Sequence, residues 1–139
     1  MSKRIDLRDD LLAAVQTANP GITIDDWAGE EAVFNTAHAW PSIAVAYAGT
    51  EFGESEEIGA TTYGRSHVFH VFVCTANVAG GTAGDAAAMT ILENTETAVS
   101  GQLIADLGLA EVMGEELVHV HMGRFLYAQT WKIVLLESH

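Results

Sequence analysis

Cysteine, basic side chains and long apolar runs are all scarce in this 139-residue sequence, and each shortage removes a class of function. The one cysteine, Cys74, has no partner for an internal disulfide, and it stands inside the apolar run His67-Val-Phe-His-Val-Phe-Val-Cys74. A small buried thiol is the expected occupant there, and a reducing cytoplasm suits it. Six Lys plus Arg against 19 Asp plus Glu give a formal charge of -13. Such a surface repels phosphate backbones instead of releasing their counterions, which disfavours nucleic-acid binding by a basic patch. No stretch reaches the roughly 18 uncharged apolar residues of a membrane-spanning helix. The opening Met1-Ser-Lys-Arg-Ile-Asp-Leu-Arg8 leads into no apolar signal segment, so neither secretion nor membrane insertion is expected.

Catalytic motifs are short supply too. Gly80, Gly81 and Gly84 follow an apolar strand-like run and precede a helical pattern, the setting of a phosphate-binding loop. A Walker loop, however, needs Gly-Lys-Ser/Thr at its end, and here Asp85 follows, with no lysine between Cys74 and Trp131. The dinucleotide fingerprint fails on spacing as well. A plain strand-to-helix turn, capped by Thr82 or Asp85, is the expected structure. No serine occupies a Gly-x-Ser-x-Gly elbow, and Cys74 has no basic neighbour in sequence to lower its pKa. No catalytic residue and no cofactor are therefore assigned, and the chain is not expected to be an enzyme.

What is present fits one domain over residues 1–139, a length that buries about two thirds of the unfolded surface. Ile5, Leu7, Leu11, Leu12, Val15 and Ala18 recur at helical spacing, and Asn19-Pro20-Gly21 stops that helix. A short strand over Ile22–Ile24 follows, then a second over Ser42–Ala48. Arg65–Val78 is apolar on both faces in its middle, which predicts a central strand. Ala87, Ile91, Leu92, Thr95, Ala98, Val99 and Leu103 step by three and four into a second helix. Glu116–Met122 and Arg124–Leu136 read as a hairpin turning at Gly123. The predicted fold is α+β: a mixed, mainly antiparallel sheet of four to five strands with two main helices packed on it.

Two side-chain groupings invite a functional reading. His119 and His121 alternate with Val118 and Val120 on one strand face, and His67 and His70 lie on a strand that could neighbour it. A third zinc ligand at motif spacing is missing, so no metal site is assigned, although a metal-binding domain on the His119/His121 face is the alternative function, beside a cytoplasmic adaptor. Glu115 and Glu116 read as a solvated strand entry. Phe125, Tyr127, Trp131, Ile133 and Leu135 share one face of the last strand, the expected core face.

Four passages together resemble the tail terminator (tail completion) proteins of contractile-tailed, Mu-like phages and prophages. They are Thr17-Ala-Asn-Pro-Gly21 closing an amphipathic helix; the strand Ala44-Val-Ala-Tyr-Ala-Gly-Thr-Glu-Phe-Gly-Glu54; Val78-Ala-Gly-Gly81 leading to Ile91-Leu92-Glu93; and Gly114-Glu-Glu-Leu-Val118 before the final hairpin. The resemblance implies a subunit that forms a homo-hexameric ring on the head-proximal end of the tail tube. Such a ring ends tube polymerisation and offers a docking face to a head-completion or neck protein. It implies assembly in the host cytoplasm and a place in the virion tail, touching the tail tube protein but neither membrane nor specific nucleic acid. Within that setting the polar, glycine-rich stretch Thr50–Tyr63 is the expected partner-contact loop. Its carboxylates Glu51, Glu54, Glu56 and Glu57 oppose a fixed conformation, and Phe52 and Ile58 supply apolar anchors.

Overall fold

The computed structural model describes residues 2–24, 41–52, 65–76, 83–121 and 124–135. Two helices, α1 (Lys3–Ala18) and α2 (Ala83–Val99), lie on a sheet of six strands: β1 (Thr23–Ile24), β2 (Ser42–Phe52), β3 (Arg65–Ala76), β4 (Leu103–Ile104), β5 (Gly108–His121) and β6 (Arg124–Leu135). The spatial order is β1-β2-β3-β6-β5-β4. β1 runs parallel to β2 and every other neighbour is antiparallel, so the sheet is mixed and mainly antiparallel as the sequence predicts. β3 is central, held between β2 and β6.

Both helices cover the same face. Leu7, Leu11 and Val15 of α1, one turn apart, and Ala88, Ile91, Leu92 and Val99 of α2 close over Ile43, Phe69, Val71, Val73, Trp131 and Ile133. Ile5, at the edge of the apolar stripe, is exposed instead. Ser2 caps α1 by accepting the Ile5 amide at 3.4 Å. At the other end Asn19 is buried and ties the helices together. Its Nδ2 donates to the Val15 carbonyl and to Thr95 Oγ1, each at 2.9 Å, and Thr95 in turn donates to the Ile91 carbonyl at 2.8 Å. Asn19→Ala leaves the buried Thr95 hydroxyl without its donor, while the backbone amide of residue 19 still serves the Val15 carbonyl at 3.1 Å, so it should cost about 1–3 kcal/mol. Urea denaturation reads this directly, and a cost indistinguishable from zero would mean that water replaces the amide.

The opposite face carries a smaller cluster of Ala44, Phe72, Cys74, Leu126 and Ala128, all buried. Alternation along β3 thus sends Val71 and Val73 to the helices and Phe72 and Cys74 to the other side, and the buried thiol expected for Cys74 is found. Trp131 and Ile133 of β6 belong to the helix-side core, with Tyr127 and Leu135 packed at its margin.

Three sequence expectations need correction. α2 stops at Val99 instead of running on through Leu103 to end before Leu107-Gly108, because Gly101 takes φ +79 and turns the chain so that its amide reaches the Ala110 carbonyl at 2.8 Å. β2 does not end at Ala48. Gly49, at φ +146, follows a register shift after Tyr47 and lets the strand continue to Phe52. β5 starts at Gly108, not Glu116, so Glu115 and Glu116 stand mid-strand and not at a strand entry. It is joined to β4 by a tight turn in which Ala105 (φ 53) and Asp106 (φ 56) are both left-handed and the Leu107 amide returns to the Ile104 carbonyl at 2.9 Å. The Asp10 carboxylate of α1 accepts the Ala105 amide and clasps this turn.

Candidate functional site

The residues expected to contact a partner divide between two settings. Glu51 and Phe52 are the last residues of β2, in register with Ser66 and Arg65 of β3, so they sit on a strand and not in a loop. Glu54, Glu56, Glu57 and Ile58 lie outside the described residues. Just before Glu51 the structure brings together groups that the sequence reading did not single out. Arg4 Nε, from α1, donates to the Tyr47 hydroxyl at 3.1 Å, and its guanidinium lies 5.7 Å from the Tyr47 ring centroid. The same hydroxyl bonds Thr50, whose Oγ1 lies 2.9 Å from Nδ1 of the buried His67. Tyr47 also meets the Phe69 ring edge-on at 5.4 Å. Desolvation pushes the Tyr47 phenol up, but the hydrogen bonds from Thr50 and Arg4 and the Arg4 charge outweigh it and hold the phenol below its ordinary value. The network pins the N-terminal helix to the far end of β2.

The histidines do not converge. β6 lies between β3 and β5, so His67 and His70 do not neighbour His119 and His121. His67 and His70 stand an odd number of residues apart and point to opposite faces, His70 bonding Thr130 through Nδ1 at 3.2 Å. His119 is exposed opposite Leu126, and His121 pairs with Arg124 in the register. Among the described residues no group of three His, Cys, Asp or Glu side chains is placed to hold a metal ion.

The feature that stands out is β5. Its inner edge is fully paired to β6, with register shifts between Val112 and Gly114 and between Leu117 and His119. Its outer edge meets β4 only at Gly108 and Leu109, after which Ala110 exchanges backbone bonds with Gly101 and Gln102 at 2.8 and 3.0 Å. From Glu111 onward no described backbone pairs with that edge. Met113, Leu117 and Val120 are 57%, 47% and 48% exposed there, beside exposed Glu111, Glu115 and Glu116. The carboxylates are visible in the sequence as Gly114-Glu-Glu-Leu, but their place on an open edge is not.

Residues 11–135 match the sequence profile of the Gp37 protein family. The chain belongs to the Gp37 family. No protein of curated function matches this Gp37-family chain. Among solved structures it is similar to a chain in the virion of a native gene transfer agent (GTA) particle, with TM-score 0.53 and 16% identity over 93% of this chain and 96% of that one. A second solved structure aligns over 100% of the Gp37-family chain and 99% of its own length, with TM-score 0.57 and 12% identity. Both likenesses are of fold. Among the described residues no helix is long and apolar enough to cross a membrane.

Proposed function

We propose that this Gp37-family chain is a structural subunit of a phage-like virion and, within it, a tail terminator. Six copies form a ring on the head-proximal end of the tail tube, halt its growth and present a docking face to the head-completion or neck protein. The observation that carries the virion role is the end-to-end fold agreement with a chain of the gene transfer agent virion. The finer role is supported by the four passages that resemble tail terminators. A charge of -13 suits a bore through which DNA must slide without sticking, since like charge keeps the phosphates off the wall. The role asks for no catalysis, only for surfaces. β2 offers one, for beyond Ile43 its outer edge has no partner among the described residues. Glu51 and Phe52 at its end, with Glu54, Glu56, Glu57 and Ile58 after them, meet a neighbouring copy or the tube.

Deleting the gene from the genome that encodes it should yield overlong tails without heads in electron micrographs, and the wild-type chain supplied in trans should restore length. Tails of normal length joined to heads would refute the terminator role. A variant combining Glu54→Ser, Glu56→Ser, Glu57→Ser and Ile58→Ser should keep the wild-type thermal midpoint and still fail to restore length. Full rescue by it would remove the contact role from those residues alone.

A further inference from the structure

The outer edge of β5 combines two properties that oppose each other in a strand meant only to face water. Register shifts and carboxylates are the usual protection of an open edge against stray pairing, and β5 has both. Met113, Leu117 and Val120, half-exposed or more on the same strand, undo that protection. The register fixes which way they lie. Glu115 opposite Gln129 and Leu117 opposite Tyr127 are on the helix-bearing face, as is Val120 opposite Phe125, whereas Glu116 opposite Ala128 is on the other face. Phe125 and Tyr127 are only partly buried, so the apolar patch continues from β5 onto β6. Glu111 has Lys132 as its registered neighbour, but Glu115 and Glu116 face uncharged residues across the strand pair.

We propose that the outer edge of β5 over Gly114–Leu117, with the Leu117 and Val120 patch beside it, seats an extended segment of a different protein carrying two adjacent basic residues next to an apolar one. The chemistry follows from the faces. Glu115 and Glu116 alternate, so consecutive Lys or Arg side chains of an added strand, which also alternate, reach one carboxylate each. An apolar neighbour of the pair then lies against Leu117. Gly114–Leu117 is the regular stretch between the two shifts, long enough for a short backbone ladder, so charge and apolar contacts select the occupant. A second copy of this chain is the wrong occupant. Apposing two β5 edges would bring six carboxylates, Glu111, Glu115 and Glu116 of each copy, together in a complex of twice -13, a net charge that already counts the six Lys and Arg of each chain. The inference holds whether or not the chain closes a ring.

The test is selection of a random ten-residue peptide display library on the full-length immobilised chain, followed by binding of the enriched peptides as synthetic probes. Enriched peptides should carry an adjacent Lys/Arg pair flanked by Val, Ile, Leu or an aromatic residue. Their affinity should fall at least tenfold in Glu115→Lys and in Glu116→Lys, weaken with added salt, and slow amide hydrogen exchange over Gly114–Leu117. Because Glu115 also accepts from Gln129 at 3.4 Å, Glu116→Lys keeps the test sound should Glu115→Lys lose stability. No enrichment, enriched peptides of other composition, or equal binding by Glu116→Lys would each overturn the proposal. So would concentration-dependent dimerisation abolished by Glu116→Lys, which would make the occupant a second copy.

Discussion

Trp131→Ala is expected to cost about 3–5 kcal/mol from the cavity alone, a large part of the 5–15 kcal/mol typical of a whole domain. Trp131 has no exposed surface and belongs to the core cluster that both helices form against the sheet. Its indole does more than fill space. Nε1 donates at 2.8 Å to Oε1 of Gln129, a fully buried amide whose Nε2 donates to the Leu92 carbonyl of α2 at 3.1 Å. Truncation empties the volume and also leaves the Gln129 oxygen without its donor inside the core, adding the cost of an orphaned buried acceptor. Trp131→Phe separates the two effects, because it keeps most of the ring and removes only the N–H. It should cost less than Trp131→Ala but still about 1–3 kcal/mol. Urea denaturation of the three proteins reads all of this. Equal stability of wild type and Trp131→Phe would mean that the Gln129 bond contributes nothing, and a cost below about 1 kcal/mol for Trp131→Ala would deny the site its core status.

Phe72→Ala should be nearly as damaging, at about 3–5 kcal/mol, although it touches neither helix. Phe72 is the largest member of the cluster on the far side of the sheet, packed with Cys74, Leu126, Ala44 and Ala128. The His70 ring, 5.6 Å away, flanks it. Removing the ring should also unshield its neighbour, so Cys74 in Phe72→Ala should react with a thiol reagent under native conditions much faster than in wild type. A cost below about 1 kcal/mol with unchanged thiol reactivity would show that the far face is a surface and not a second core.

Elements whose signals are local were readable in the sequence. α1 announces itself through Leu7, Leu11 and Val15 and through a Pro-Gly stop, and β3 announces its central place by being apolar on both faces. The β4–β5 hairpin was not readable because Ala105-Asp106 lacks the Asn-Gly or Asp-Gly chemistry that normally marks two left-handed turn residues. Its conformation is held from a distance by Asp10. The two shifts in β5 also break the strict alternation by which a strand is recognised, so only its part from Glu116 on read as strand. For the candidate site, Gly49 looked like the end of β2 because glycine in a polar stretch signals a loop, whereas here it serves a bulge. Pairing of β3 with β6, which separates the histidines, depends on residues far apart in sequence that no window spans.

That same pairing governs how the molecule can come into being. β2 and β3 are consecutive strands, as are β5 and β6, and each pair can form from nearby residues. The sheet becomes one piece only where Ser66 meets Val134 and Ala76 meets Arg124. Closing that seam brings together widely separated parts of the chain, the kind of contact that slows folding. It also needs the last strand made. On a ribosome, then, the first two thirds of the protein emerge with the inner edge of β3 bare, and the halves cannot join until β6 is released.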